Sequence, residues 1–198
     1  MGNMSVVGLD LAGVEKRPTG FCVLKRMQAK TFILYKDEEI VKRTEEVQPH
    51  VVAVDAPLSL PTGRKSIEER TGQHLRECDK ELLRKGIKFF PITLGPMRKL
   101  TSRGIELKKI LNSKHFLVIE VYPGGAQDIL QIPRKQEGLE KLRKGLEKLG
   151  IKGLTDTMGG DELDAITCAY VGKLYLEGKT LAYGKGDQVI AMPKPSKI

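Results

Sequence analysis

Three nearly continuous apolar stretches each carry a single acid. Residues 5–13 surround Asp10 and end at a glycine, residues 50–55 end on Asp55, and Glu120 interrupts the third stretch, residues 116–123. Apolar runs of this length that are rich in β-branched residues predict buried strands, and the glycine or proline that follows each of them marks its end. A bare carboxylate in such a strand is costly unless it finds a partner, so Asp10 in particular requires one.

Shorter runs predict how these strands are connected. Residues 20–24 and 31–35 are strand candidates with short polar connections, which predicts an antiparallel meander with the first strand. Residues 37–47 show helical spacing behind an acidic first turn. A strand reached through such a helical crossover lies parallel to the earlier one, so Asp10 and Asp55 are expected to face one another at the carboxyl ends of neighbouring strands.

The segment 57–114 is irregular and rich in helical patterns, and we interpret it as an insertion. Residues 66–85 are predicted to form one helix, with Ser66 and Glu69 as a capping box and Gly86 at the end.

Charged residues of this insertion allow two interpretations. Arg76 and Asp79 lie one helical turn apart. They form either an ion pair on the surface or part of a functional site. A further helix, weakened by Gly104, carries three basic residues that form either a solvated face or a basic rim beside the site. They are Arg98, Lys99 and Arg103.

The last third of the chain contributes helices and one more strand. Residues 137–149 are predicted to form an amphipathic helix with a leucine stripe. Asp161 follows two glycines and suits the N-cap of a second, mostly apolar helix. Asp164 shares its face but sits among apolar residues, where a charge needs a partner. Residues 188–192 predict a short edge strand.

We therefore predict an α/β protein with a mixed five- to six-stranded sheet, flanked by helices, in a single domain 1–198.

Composition narrows the class of protein. With 40% apolar and 30% charged residues the chain is typical of a globular protein, and it shows neither a secretory signal nor an apolar run of membrane-spanning length, so we expect a cytoplasmic protein with no membrane partner. Three widely spaced cysteines predict buried, reduced thiols. The net charge of +9 favours nucleic acid as a partner, although a Lys/Glu-rich surface of thermophile type would also explain it.

The acids also predict a metal. Two carboxylates a few Å apart repel one another, which raises the pKa of one of them unless a cation lies between them. A divalent cation is the simplest way to satisfy Asp10 and Asp55 together, and Mg²⁺ or Mn²⁺ prefers such hard oxygen ligands.

Five motifs, taken together and in order, resemble those of domain-of-unknown-function family 429, predicted nucleases of the ribonuclease-H-like fold related to Holliday-junction resolvases. Along nearly the whole chain they are Gly-Leu-Asp-Leu-Ala at 8–12, Asp-Ala-Pro at 55–57, Arg-Glu-Cys-Asp-Lys-Glu-Leu at 76–82, Glu-Val-Tyr-Pro at 120–123 and Asp-Glu-Leu-Asp-Ala at 161–165.

The resemblance implies phosphodiester hydrolysis with two Mg²⁺ or Mn²⁺ ions, one activating water and one stabilising the leaving oxygen. It implies that Asp10 is the bridging ligand, completed by Asp55 and Asp164, with Asp161 or Glu120 as an outer ligand or proton handler.

Charge and position also suggest how the substrate is held. Arg76, Arg98 and Lys99 are the candidates for phosphate contacts. The first helix lacks the buried acid of ribonuclease H proper, which favours the resolvase-like pattern. DNA or RNA as substrate, and a homodimer, stay open.

Two other readings remain. Actin-like ATPases share this fold, and Asp10, Gly13 and the pair Thr19-Gly20 resemble their phosphate-binding turns, although such enzymes use two domains with ATP between them. The chain has no Gly-x-x-x-x-Gly-Lys-Ser/Thr loop. The third reading is a binding protein whose acids are inactive or only structural.

Overall fold

The computed structural model describes residues 4–195. Its elements, in chain order, are β1 Ser5–Asp10, β2 Thr19–Lys25, β3 Gln28–Leu34, α1 Asp37–Val47, β4 Val51–Asp55, α2 Glu77–Arg84, α3 Gly95–Ser113, β5 Val118–Val121, α4 Pro123–Ile129, α5 Leu139–Lys148, α6 Gly160–Leu176, β6 Thr180–Lys185 and β7 Gln188–Pro193. A short 3₁₀ turn, Lys135–Glu137, precedes α5.

The strands form one mixed sheet in the order β3-β2-β1-β4-β5-β7-β6. Strands β1, β2 and β3 form the predicted antiparallel meander. Strand β4 returns through α1 to lie parallel to β1, and β5 and β7 continue the parallel part of the sheet. This confirms the α/β architecture and the crossover that was expected to bring β1 and β4 together.

The two faces of the sheet are covered by different helices, and strand alternation decides which residue meets which helix. On one face Val7 and Leu9 pack in a core with residues of α1 and α3. On the other face Val6 packs in a core with residues of α5 and α6. Position 10 has the same parity as Val6, so Asp10 emerges on the α6 face of β1.

Helix α6 lies directly on the backbone of the sheet because glycine faces it. A Cβ at Gly8 would lie 2.2 Å from the carbonyl oxygen of Ala165 and 2.3 Å from the backbone nitrogen of Ala169. A Cβ at Gly20 would lie 1.9 Å from the carbonyl oxygen of Asp161. These contacts fix the start of α6 against the ends of β1 and β2.

We expect Gly8→Ala to destabilise the protein by about 1–3 kcal/mol, the usual cost of overpacking a tight core. The added methyl group meets backbone atoms of α6, which cannot rotate away as a side chain can. Urea unfolding measures the effect. Gly72→Ala is the matched control, because a Cβ there has no neighbour within 4 Å. Equal stabilities for the two variants would contradict the tight contact.

The predicted single helix over 66–85 is wrong, since α2 begins only at Glu77. The buried guanidinium of Arg64 explains the difference. It donates hydrogen bonds to the carbonyl oxygens of Ser66, at 3.0 Å, and Gln73, at 2.7 Å, and to those of Ile67 and Glu69. Carbonyls that a helix would have used internally are therefore bound to one side chain, and the segment wraps around it.

Other boundaries also differ from the prediction. Strand β7 is not an edge strand, because β6 pairs with it and forms the edge. Strand β6 and helix α4 had not been predicted. Asp161 is not the N-cap of α6, a position taken by Gly159. Gly104 does not interrupt α3, where its lack of a side chain leaves room for Ala56 at close range.

The cysteines are all buried and unpaired, as expected. Within the described part of the chain, no helix is long and apolar enough to cross a membrane.

Candidate active site

Asp10 and Asp55 are the last residues of β1 and β4, and they are direct neighbours in the parallel register of the two strands. Neighbours in register project to the same face, so both side chains emerge on the α6 side at the carboxyl edge of the sheet. The juxtaposition expected from the sequence is therefore present. Open α/β sheets bind ligands at this edge.

Asp164 is supplied by the second turn of α6, and it is only 5% exposed. Its Oδ1 accepts a hydrogen bond of 2.8 Å from Nε2 of Gln127, a buried residue of α4. The same Nε2 lies 3.1 Å from Oγ1 of Thr167, one turn further along α6. Gln127 therefore fixes the orientation of the Asp164 carboxylate and leaves its Oδ2 free for another partner.

That partner is Lys135, at the start of the 3₁₀ turn. Its Nζ lies 2.8 Å from Oδ2 of Asp164 and 3.5 Å from Oδ2 of Asp10. The latter oxygen is buried and has no hydrogen-bond partner among residues 4–195. The lysine thus compensates the two carboxylates unequally, with a close ion pair to Asp164 and a longer one to Asp10.

The electrostatics show a crowded acidic cluster. Burial, with smaller contributions from the charges of Asp164 and Asp161, raises the pKa of Asp10 to about 7 against the opposing charge of Lys135. Burial and the charges of Asp10 and Asp164 raise the pKa of Asp55 well above its ordinary value. Burial tends to lower the pKa of Lys135, but the carboxylates of Asp10 and Asp164 outweigh it and raise that pKa.

The cluster has the donor chemistry of a magnesium or manganese site, namely carboxylate oxygens, one of which is buried without a hydrogen bond. In the arrangement seen over residues 4–195, no set of three or more His, Cys, Asp or Glu side chains is positioned as a metal cage. The ammonium of Lys135 is the cation that the acids contact here. The donor set fits a divalent cation, provided that Lys135 moves.

A cleft of about 660 Å³ opens beside the cluster. Its walls combine acids of the cluster with basic side chains and with the N-terminus of α3, whose first backbone N–H groups favour anions. The polar residues that line it are Asp10, Asp161, Arg17, Lys99 and Lys135. An elongated polyanion with an acid-bound cation would suit these surroundings.

Glu120 is not brought into the cluster. It pairs in register with Val54, one residue before Asp55, and so projects to the opposite face of the sheet. There its Oε2 accepts hydrogen bonds of 2.8 Å from Nη1 of Arg76 and 2.8 Å from the backbone nitrogen of Leu58. It lines, with Asp55, a separate cleft of about 180 Å³. We therefore do not propose Glu120 as a metal ligand or proton handler, the roles expected from the sequence.

Arg76 is 3% exposed, and its guanidinium is held from two sides. Its Nη2 lies 2.9 Å from Oδ1 of Asp79, and its Nη1 bonds Glu120. The surface ion pair considered from the sequence is thus a buried one. We do not retain Arg76 as a phosphate contact, because both of its sides already face carboxylates.

Comparison with known proteins gives the family. The family model described as "Protein of unknown function (DUF429)" matches residues 8–188. The chain belongs to this family. No curated protein matches it.

Among solved structures, this DUF429 chain is similar to RuvC of Thermus thermophilus in complex with a Holliday junction substrate, with a TM-score of 0.54 and 14% identity, covering 97% of this chain and 100% of that one. The structure of T. thermophilus RuvC on its own gives a TM-score of 0.49 at 12% identity, covering 96% and 100%. The likeness to the first of these two structures confirms the ribonuclease-H-like fold.

The basic residues predicted around the site of the DUF429 chain have different positions. Lys99 lines the large cleft. Arg98 forms an ion pair with Glu68. Arg103 is buried and donates hydrogen bonds to Asp37, to the carbonyl oxygen of Ala12 and to that of Tyr35. Lys99 is therefore the best placed of the three to meet a ligand in the cleft.

The Thr19-Gly20 turn, which resembles a phosphate-binding turn of the actin-like ATPases, makes packing contacts within the fold. Oγ1 of Thr19 accepts a hydrogen bond from the backbone nitrogen of Ala12 at 3.1 Å, and Thr19 is fully buried. Gly20 lies under the carbonyl of Asp161, as described above. Contacts within the fold thus account for both residues of the Thr-Gly pair.

Sequence reasoning missed three residues of the site, namely Lys135, Gln127 and Arg17. Lys135 precedes an amphipathic helix whose lysines face solvent, and nothing in its local pattern separates it from them. Gln127 belongs to α4, a helix that was not predicted. The sequence offered only a weak sign of Lys135, namely Gly160, whose missing side chain leaves space for the stem of that lysine.

Proposed function

We propose that this protein is a metal-dependent nuclease that hydrolyses phosphodiester bonds in nucleic acid. The observation that carries the proposal is the convergence of Asp10, Asp55 and Asp164 at the carboxyl edge of the sheet. Two of these acids have raised pKa values, and one oxygen lacks a hydrogen bond. Carboxylates held together against their mutual repulsion are typical of functional sites.

Asp10, Asp55 and Asp164 would hold one or two Mg²⁺ or Mn²⁺ ions, with Asp161 at the cleft wall as an outer ligand. When bound, such ions supply Lewis-acid activation of the phosphodiester and of water. Gln127 holds the Asp164 carboxylate in one orientation. Helix α6 is fixed against β1 through Gly8, so the strand acids and the helix acids keep a constant relation.

The nucleic acid would lie along the large cleft. Arg17 and Lys99 on its walls would contact phosphates, and the N-terminus of α3 adds backbone donors. The net charge of +9 suits a polyanionic partner. The likeness to RuvC bound to a Holliday junction suggests branched DNA as the first substrate to test.

The experiment is a cleavage screen combined with metal titration calorimetry. Protein freed of metal by EDTA is titrated with Mn²⁺ and Mg²⁺, and then incubated with labelled branched, duplex and single-stranded DNA and RNA. We expect saturable binding of metal and cleavage that requires it. In the same screen Lys99→Gln should weaken substrate binding more at low salt than at high salt, because a phosphate contact acts through counterion release.

Cleavage that persists in excess EDTA would contradict the proposal, as would a failure of the wild-type protein to bind either metal with and without nucleic acid. Heat release with ATP and Mg²⁺ alone would favour the nucleotide-binding alternative.

A further inference from the structure

We propose that Lys135 is a resident cation of the acidic site. It neutralises the Asp10–Asp164 pair in the metal-free protein and must leave the pair when a divalent cation binds, so that it sets the affinity of the site for metal. This inference rests on the proposed function, because it concerns the same acids.

The contacts make lysine and metal mutually exclusive partners. Nζ of Lys135 lies 2.8 Å from Oδ2 of Asp164, the oxygen that Gln127 leaves free, and 3.5 Å from the unpaired Oδ2 of Asp10. A divalent cation shared by Asp10 and Asp164 would require these same two oxygens. An ammonium group left beside it would repel it strongly, since Coulomb repulsion at about 4 Å is substantial even under solvent screening.

The fold makes room for the lysine in this position. A Cβ at Gly160, the first residue of α6, would lie 3.2 Å from Cδ of Lys135, closer than a side chain ordinarily tolerates. The turn that carries the lysine is anchored to α4 by Nε of Arg134, which lies 2.8 Å from Oδ1 of Asp128. The Lys135 stem thus crosses the start of α6 so close to residue 160 that a side chain there would have to push it aside by a few tenths of an ångström.

The lysine also has a way out. Its side chain is 34% exposed and lines the large cleft, whereas the Asp164 side chain that it contacts is 7% exposed. A lysine side chain has several rotatable bonds, so it can move into the cleft without a change in the backbone. The carboxylates have no such freedom, because they project from β1 and from α6.

Two variants test the inference from different directions. Lys135→Gln removes the charge but keeps a polar side chain of similar reach. Gly160→Ala keeps the charge but displaces the stem of the lysine, and alanine suits a helix better than glycine. The control is Lys144→Gln, which makes the same change in net charge at an exposed ion pair with Glu140, away from the site.

Titration calorimetry with Mn²⁺ is carried out on these four metal-free proteins and on Asp10→Asn, after circular dichroism has shown that each is folded. We expect the Mn²⁺ dissociation constant to fall about tenfold in Lys135→Gln, because the metal no longer has to displace an ammonium group from the Asp10 and Asp164 carboxylates. It should fall by a smaller factor in Gly160→Ala and stay unchanged in Lys144→Gln. Without metal, Lys135→Gln should also unfold at a lower urea concentration than the wild type.

Other outcomes separate the two proposals. Equal Mn²⁺ affinities for the wild type, Lys135→Gln and Gly160→Ala, with binding lost in Asp10→Asn, would overturn this inference and leave the proposed function standing. Weaker binding in Lys135→Gln would also overturn it, because the lysine would then support the metal. No Mn²⁺ binding by any of the proteins, with or without nucleic acid, would remove the proposed function and this inference together.

Discussion

Replacing Asp10 with asparagine should stabilise the metal-free protein at pH 8 while lowering metal-dependent cleavage by about 10³-fold. The loss of activity corresponds to the several kcal/mol of charge stabilisation that a metal ion supplies. The gain in stability follows from the crowding of negative charge, since the neutral amide of similar shape removes one of the repelling carboxylates. One substitution should therefore move stability and activity in opposite directions.

The raised pKa of Asp10 determines how the stability gained by Asp10→Asn depends on pH. The pKa of Asp10 is about 7 in the folded protein and 3.8 for an ordinary aspartate. Because the folded state holds the proton more tightly, ionisation of Asp10 costs stability, and this cost grows between about pH 4 and pH 7. The advantage of Asp10→Asn should reach on the order of 2–4 kcal/mol above pH 7 and vanish towards pH 4.

Urea unfolding in EDTA at pH 8 and at pH 4.5 measures this difference. Asp156→Asn is the control, because it removes a carboxylate that lies exposed in the 154–158 loop. A variant less stable than wild type at pH 8 would show that Lys135 and the solvent compensate Asp10 fully, and a variant that still cleaves at the wild-type rate would refute the role of Asp10.

Replacing Arg76 with methionine should destabilise the protein by about 3–5 kcal/mol, because it leaves two buried carboxylates without their shared cation. Asp79 is 1% exposed and Glu120 is 6% exposed, so neither can turn to water. The pKa of Glu120 is already raised by burial, against the opposing effect of Arg76. Without the arginine, Glu120 should take up a proton at higher pH, so acid should reduce the loss.

The controls distinguish a buried ion group from a general effect of removing arginine. Arg84→Met removes an arginine whose side chain is 71% exposed and 3.9 Å from Glu81, and it should change stability by less than about 1 kcal/mol. The double variant Arg76→Met/Glu120→Gln should regain part of the lost stability. Equal effects of Arg76→Met and Arg84→Met in urea unfolding would contradict this account.

The strand acids could be located from the sequence because the local pattern determines where a strand ends. Asp10 and Asp55 each close an apolar run, and the helical crossover between them dictates parallel pairing. Glu120 showed the same local pattern but lies on the other face. In the register of the sheet Glu120 lies opposite Val54, one residue before the level of Asp10 and Asp55. Because successive side chains of a strand point to opposite faces, this difference of one residue places Glu120 on the other face.

Long-range contacts account for what the sequence did not show. The segment 66–76 has a helical pattern, but hydrogen bonds from Arg64 bind its carbonyls in another conformation. Lys135 reaches the acids because the chain returns past them after α4, and its neighbours in sequence give no sign of this. A residue that finds its partner only after the sheet has assembled leaves no periodic pattern to detect.

The contact of α6 with the glycine positions of β1 and β2 has a consequence for how such a site can change. Because backbone packs directly on backbone there, α6 cannot shift relative to the strands, and the spacing between the carboxylates of β1 and α6 is set by the fold itself. The positive charge opposite them is carried by a short turn that can be lengthened, shortened or replaced without disturbing the sheet. Ion affinity and structural integrity are thus separately adjustable in this architecture, and metal preference can diverge among proteins whose acids are superimposable.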